Sequence, residues 1–411
     1  MVLKKDTIVI WLIILFSMSS FFFYKPVFID MQVLKLVYTA FLAIVAYLAI
    51  GQIYKQKPEK EKPYFLLPMK LVIFSTLFSI IPAYFSWGQS PATTFVALLP
   101  YLSYIFYFFL IYFKPKLRDI EKIIIAIGLL TLFLQILSII IFPTILYGGK
   151  LEDEISTTRG FARLSIPGMG FIYLAYFLCV NKFVYTNRIK WLGYAIMLLI
   201  GIFSTLTRQS IAACLLLSVF FFLSQVKSIW IKIVVMLFSA LLIYFVSTLS
   251  FVKILLEKTQ EQTSKYQEDV RVLSGTYFLT SFSPDLLTQV FGNGEAATGK
   301  SKYGNEVLKM KEVFGYYQSD VGFIGVYAKF GLIGILAWIL IFYRIFRIKL
   351  HPSIRYIRIF IMFFLLTGLT AAFVTSVYYI APICLALYMA DFKLRKKIPL
   401  PQKKALIQDY D

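Results

Sequence analysis

Histidine, cysteine and charge are all scarce in this chain: one histidine and three cysteines in 411 residues, with 15% of positions charged. The lone His351 sits in a strongly basic connection, so no histidine triad or multi-histidine metal site can be drawn. Cys179, Cys214 and Cys384 each lie inside an apolar run, which leaves neither a disulfide framework nor a cysteine metal cluster. Soluble domains carry charge on roughly a quarter of their residues, so the low charge argues against that class. No internal repeat of fixed period stands out, and short alternating strands of the kind that build an outer-membrane barrel are missing too.

What fills the chain instead is apolar residue: 59% hydrophobic and 18% aromatic. The apolar residues come in blocks of about 20, the length a helix needs to cross about 30 Å of hydrocarbon. Lipid offers no partner to backbone N–H and C=O groups, so such blocks must be helical. The expected fold is an all-α polytopic membrane protein with about twelve transmembrane helices. The spans are read near 7–24, 33–54, 65–87, 94–113, 123–143, 167–182, 191–207, 211–226, 229–249, 321–343, 357–375 and 377–391. The first block follows Lys4 and Lys5 like a signal peptide, but no small-residue cleavage site follows it, and it is kept as a span.

The net charge of +21 is distributed as topology, not as a nucleic-acid surface. Lys55, Lys57, Lys60 and Lys62 fill the second connection; Lys114, Lys116, Arg118 and Lys122 fill the fourth. Lys182, Arg188 and Lys190 mark the sixth, Lys227 and Lys232 the eighth, and Arg344, Arg347, Lys349, Arg355 and Arg358 the tenth. Basic residues on every second connection place both termini in the cytoplasm. The organisation expected is an N-terminal bundle of about nine spans over 1–249, a large external loop over 250–320 between spans nine and ten, C-terminal spans over 321–391, and a basic cytoplasmic tail over 392–411. That tail suits anionic lipid.

Arginines on the external side are exceptions to this pattern. Arg159 and Arg163 fall in one external connection, and Arg208 falls between two apolar blocks with almost no polar cover. An arginine so close to hydrocarbon is costly unless it faces a cavity or an anion. Guanidinium groups pair with phosphate oxygens through planar, two-pronged hydrogen bonds, so several converging ones suit a pyrophosphate. Arg159 and Arg163 have an ordinary alternative in pairing with Glu152, Asp153 and Glu154 or with lipid head groups. Asp320, where the long loop enters a span, is a candidate general base, and equally a candidate helix cap. Phe291-Gly292-Asn293-Gly294-Glu295 reads as a backbone turn able to approach an anion, without the strand–helix setting of a nucleotide fold. Glu295, Tyr316 and Tyr317 are the candidates for contacting sugar. No carboxylate stands in the middle of a span, which counts against an ion-coupled transporter.

Three stretches resemble the O-antigen ligase and O-antigen polymerase superfamily of bacterial polysaccharide assembly. Thr205-Leu206-Thr207-Arg208-Gln209-Ser210-Ile211 is similar to the family's Ser-Arg segment opening a span. Arg271, followed by Phe291-Gly292-Asn293-Gly294, resembles its Arg…Gly-x-Gly stretch in the large external loop. Asp320-Val321-Gly322-Phe323-Ile324, leading into Phe330-Gly331-Leu332-Ile333-Gly334, is similar to its loop-to-span motif. Ligases begin that motif with His-Asn; the Asp320-Val321 found here favours the polymerase branch, and Asp320 inherits the base's role by position. The resemblance implies an inverting, metal-independent glycosyltransferase without cofactors at the outer face of the bacterial cytoplasmic membrane. It would join polyprenyl-pyrophosphate-linked oligosaccharide repeat units for capsule, exopolysaccharide or O-antigen. Arg208 and Arg271 would hold pyrophosphate, helped by Arg159 and Arg163. Membrane lipids, flippase and chain-length regulator proteins are the implied partners, and nucleic acid is not. A ligase with a different acceptor, and a flippase or exporter of lipid-linked saccharide, stay open as alternatives.

Overall fold

The computed structural model describes residues 5–18, 25–26, 31–54, 63–141, 147–148, 168–205, 207–225, 233, 269–371 and 373–395. Within them the regular structure is helical apart from a two-residue antiparallel pair, Lys25–Pro26 with Tyr147–Gly148. In chain order the helices are α1 (Lys5–Met18), α2 (Met31–Tyr54), α3 (Leu66–Phe78), α4 (Ile80–Phe85), α5 (Pro91–Leu98), α6 (Phe106–Phe113), α7 (Leu117–Ile140), α8 (Met169–Thr186), α9 (Ile189–Ser204) and α10 (Arg208–Gln225). After residues 226–268 come α11 (Val270–Thr280), α12 (Leu286–Phe291), α13 (Lys302–Phe314), α14 (Phe323–Arg347), α15 (Tyr356–Thr367) and α16 (Val377–Arg395).

Among the described residues, six helical stretches are long and apolar enough to cross a membrane. They are Leu66–Phe85, Leu117–Ile140, Met169–Thr186, Arg208–Gln225, Phe323–Arg347 and Val377–Leu394. A seventh is a pair, Pro91–Leu98 and Tyr101–Phe113, bent by 59°. This is a multi-pass pattern with fewer full-length spans than the twelve expected from composition. The expected spans near 7–24, 33–54 and 191–207 contain shorter apolar helices. That near 357–375 holds the 12-residue α15, which stops at Gly368. The expected span 229–249 lies outside the described residues, save Ile233.

At the centre stand α8, buried without interruption from Met169 to Lys182, and α16. A helix that is apolar all round suits a protein core or a membrane span, and α8 is enclosed by its neighbours. Close approach is bought by small residues: a Cβ on Gly128 of α7 would lie 2.7 Å from the Ala175 Cβ of α8. On the periphery Phe133, Ile200, Leu332 and Ile339 are exposed, as lipid-facing residues are.

Polar chemistry is divided between the two ends of the bundle. At the end rich in Lys and Arg, Lys182 pairs with Glu121 at 2.8 Å, both buried. There the Asp391 carboxylate accepts the backbone N–H groups of Tyr64 and Phe65 and the Tyr107 hydroxyl, at 2.5, 3.3 and 2.5 Å. The opposite end carries α11, α12 and α13, whose first turns are capped by Asp269, Asp285 and Ser301. Phe278, Phe282 and Tyr303 from this segment pack with Val321 and with Ala328 of α14, against Trp87. The described part of the 250–320 segment therefore shares its small core with the helices beneath it.

Candidate functional site

The site is built where two backbones cross. Helix α14 breaks at Gly331, whose φ of 65° and ψ of −167° are non-helical. A Cβ there would lie 2.4 Å from the Gly292 nitrogen, and a Cβ on Gly292 would lie 2.2 Å from the Lys329 carbonyl oxygen. Only glycine at both positions lets the Phe-Gly-Asn-Gly-Glu turn lie against the break. The carbonyls before the break do not go unpaired: Asn293 N–H donates to Ala328 O at 3.1 Å and Gly294 N–H to Lys329 O at 2.9 Å. The Asn293 amide adds a bond to Ala328 O at 2.8 Å and one to the Ser283 hydroxyl at 3.0 Å, while its oxygen accepts Trp87 Nε1–H at 2.6 Å. Irregular backbone beside apolar helices is tolerated where neighbouring protein satisfies it, as this turn does.

This crossing carries Glu295 to Lys329. Their Oε2 and Nζ atoms are 2.7 Å apart, with side chains 27% and 12% exposed. Tyr101, just past the 59° bend, donates its hydroxyl to Glu295 Oε2 at 2.8 Å and accepts from Lys329 Nζ at 2.9 Å. Beside them the fully buried Gln89 donates to the Glu295 carbonyl at 2.9 Å and to the Thr94 hydroxyl at 3.0 Å. Its oxygen accepts Ala297 N–H at 3.0 Å and the Ser301 hydroxyl at 2.6 Å. Tyr303 donates to Gly294 O at 3.3 Å; burial, reinforced by the Glu295 charge, pushes its pKa well up and keeps it a neutral donor.

Those of the residues singled out from the sequence that are described fall at the same end. Arg208 is the first residue of α10 and is half-buried. The positive end of the helix dipole disfavours a cation there unless an anion joins it. Its neighbour Gln209 donates to Leu366 O at 3.1 Å and Thr367 O at 3.2 Å, and accepts from the Thr370 hydroxyl. Gly368 of that turn accepts Phe323 N–H at 2.8 Å, and a Cβ on Gly322 would lie 1.9 Å from the Gly368 oxygen. One turn thus receives the start of α10 and the start of α14. Asp320 lies in the short 3-10 turn Gln318–Val321, exposed, its carboxylate accepting the Ser319 hydroxyl at 2.9 Å. It does not cap α14: Gly322, with a φ of 57°, holds that position because only glycine passes so close to Gly368.

Arg271 is exposed near the start of α11, its N–H bonded to Asp269 at 2.7 Å. That helix packs on the turn carrying Asp320: a Cβ on Gly275 would meet Ile324 at 3.4 Å and Val321 at 3.9 Å. Tyr316 is half-buried, its ring 5.7 Å from Tyr277 and 5.6 Å from Phe314. Tyr317 is exposed, with the Lys311 ammonium 5.4 Å from its ring centre. Arg159 and Arg163 lie outside the described residues.

Sequence reading passed over Lys329, Tyr101, Gln89 and Trp87. Lys329 had a usable signal, since it is the one charged residue in the apolar run 321–343. The other three had none, because their roles depend on partners about 200 positions away. Among the described residues no three His, Cys, Asp or Glu side chains converge to hold a metal ion. Compared with known proteins, the chain matches no family model and no curated protein sequence.

Proposed function

We propose that this chain is a polysaccharide polymerase of the bacterial cytoplasmic membrane: an inverting, metal-independent glycosyltransferase that joins polyprenyl-pyrophosphate-linked oligosaccharide repeat units at the outer face. In this reading the chain has about twelve spans, both termini are cytoplasmic, and the segment 250–320 covers the site. The observation that carries the reading is the meeting at one turn. Gln209, beside Arg208, and Phe323, three residues after Asp320, both bond the Leu366–Thr370 segment, while the helix bearing Arg271 packs on the Asp320 turn.

The chemistry follows from those groups. The acceptor hydroxyl attacks the anomeric carbon of the donor glycan from the face opposite the pyrophosphate. The new C–O bond forms as the bond to the leaving phosphate oxygen breaks, inverting the centre. Arg208 and Arg271, with Arg159 and Arg163, neutralise the charge growing on the leaving group. Asp320, exposed at the turn, takes the hydroxyl proton. Tyr316, Tyr317 and Glu295 contact sugar. A ligase would use the same groups and differ in its acceptor; flippase and chain-length regulator proteins would supply and measure the chain.

Complementation of a deletion strain tests this. Arg208→Ala and Arg271→Ala should each abolish long polymer and leave single repeat units on the carrier lipid; normal polymer from both variants sinks the site. Asp320→Asn should cut polymer severely, and near-normal chains would remove it as base. One observation favours a second reading, a flippase or exporter of lipid-linked saccharide. Two broken helices meet at the Lys329–Glu295 pair, a device transporters use at their binding sites. Repeat units trapped on the inner leaflet in the deletion strain would favour it.

A further inference from the structure

The Lys329–Glu295–Tyr101 cluster holds its carboxylate in an asymmetric way. Oε2 of Glu295 takes both donors, the Lys329 ammonium at 2.7 Å and the Tyr101 hydroxyl at 2.8 Å. Oε1 takes none among the described residues, although the Glu295 side chain is more open than that of Lys329. The backbone of Glu295 is pinned as well, through Gln89 on its carbonyl and through the Gly294–Lys329 bond one residue earlier. One oxygen is therefore committed to the protein, while the side chain as a whole stays 27% exposed.

We infer that Glu295 Oε1 accepts a hydrogen bond from a hydroxyl of the glycan, and that Lys329 and Tyr101 are positioning residues that fix it for that contact. The inference rests on the glycosyltransferase reading and assigns the cluster to the sugar end of the substrate. A carboxylate repels pyrophosphate, so this acidic corner and the arginines sort the two ends of a lipid-linked saccharide between them. A site built to bond a hydroxyl discriminates strongly against ligands that lack it, because its buried polar groups are otherwise left unpaired. Lys329 adds a second condition. Without it the Glu295 carboxylate would lose the ammonium that holds Oε2, and its other oxygen would no longer be kept in one place.

The experiment uses the detergent-solubilised full chain and lipid-linked repeat units extracted from the deletion strain, with polymerisation and melting temperature read on each variant. Glu295→Gln should raise KM for the repeat unit, and it should melt below the wild type because it leaves the Lys329 ammonium without its counter-ion. Lys329→Met should lower turnover about a hundredfold, the scale of an ångström's misplacement; Lys329→Arg should recover most of it. The exchange Glu295→Lys with Lys329→Glu restores an ion pair but moves the carboxylate, so it should melt above Lys329→Met and still polymerise poorly. Normal polymerisation by the exchange variant makes the pair a mere clasp and overturns the inference. If the exchange variant fails to fold, Glu295→Gln decides alone, and an unchanged KM overturns it. Arg208→Ala runs in parallel: if it polymerises normally the glycosyltransferase site itself fails, whereas if it is inactive and Glu295→Gln is normal, this inference alone falls.

Discussion

Replacing Gly292 by alanine tests whether the crossing of the Gly-Asn-Gly turn over the broken helix organises this end of the protein. The residue has φ +84° and ψ 170°, a region that non-glycine residues enter at a penalty of about 1–3 kcal/mol. The added Cβ would also sit 2.2 Å from the Lys329 carbonyl oxygen and 2.5 Å from the Phe330 Cα, both backbone atoms with no rotamer to yield. Forcing such a contact apart adds about 1–3 kcal/mol more. Gly299 supplies the control: its φ is +70°, and a Cβ there meets nothing within 4 Å. Gly299→Ala should therefore lose only the conformational part, about 1–2 kcal/mol. Melting of the solubilised variants, with limited proteolysis of the 269–320 segment, reads the difference. Gly292→Ala should melt well below Gly299→Ala and open that segment to protease, since the Gly294–Lys329 and Asn293–Ala328 bonds part with the crossing. Equal melting of the two would refute the claim that backbone contact, and not turn conformation, holds the segment down.

Three further outcomes follow from other parts of the bundle. Gln135 in α7 is fully buried, with neither its amide nitrogen nor its oxygen bonded among the described residues. Gln135→Met should raise the melting temperature by the equivalent of about 1–3 kcal/mol, the penalty of an unmet buried polar group; a lower melting temperature would show a partner there. Lys182→Met leaves the Glu121 carboxylate buried without its ammonium, at a loss of about 3–5 kcal/mol, and Glu121→Gln in the same chain should recover much of it. A double variant no better than the single one would refute that account. Asp285 caps α12: burial alone would raise its pKa, but the Ser86 hydroxyl and Thr288 N–H hold it below the usual 3.8. The ionised form is thus favoured by folding, so its contribution is present at neutral pH and is lost as pH falls through the lowered value. Melting of Asp285→Asn should drop less than that of the wild type between neutral pH and pH about 3, and parallel curves would exclude the effect.

Composition alone determined that this chain is helical and apolar enough for several membrane crossings, because helix length and backbone satisfaction in lipid leave no other option. It also marked Arg208 and Asp320, since a charge beside an apolar run is conspicuous in one dimension, whereas Arg271 was singled out only by the family resemblance. Where helices stop was less legible. The run 357–375 reads as a continuous span, yet α15 ends at Gly368, where the backbone turns to accept Phe323. Nor does apolar periodicity register a break such as Gly331, because the residues on either side stay apolar. Tertiary structure decided the rest. A bare Gly-x-Gly acquired meaning only once Gly292 met Gly331, and Glu295 became more than a surface acid only when Lys329 and Tyr101 came to it. Tyr101 and Lys329 are 228 positions apart, and contacts of that range depend on how the helices pack, which no local pattern encodes.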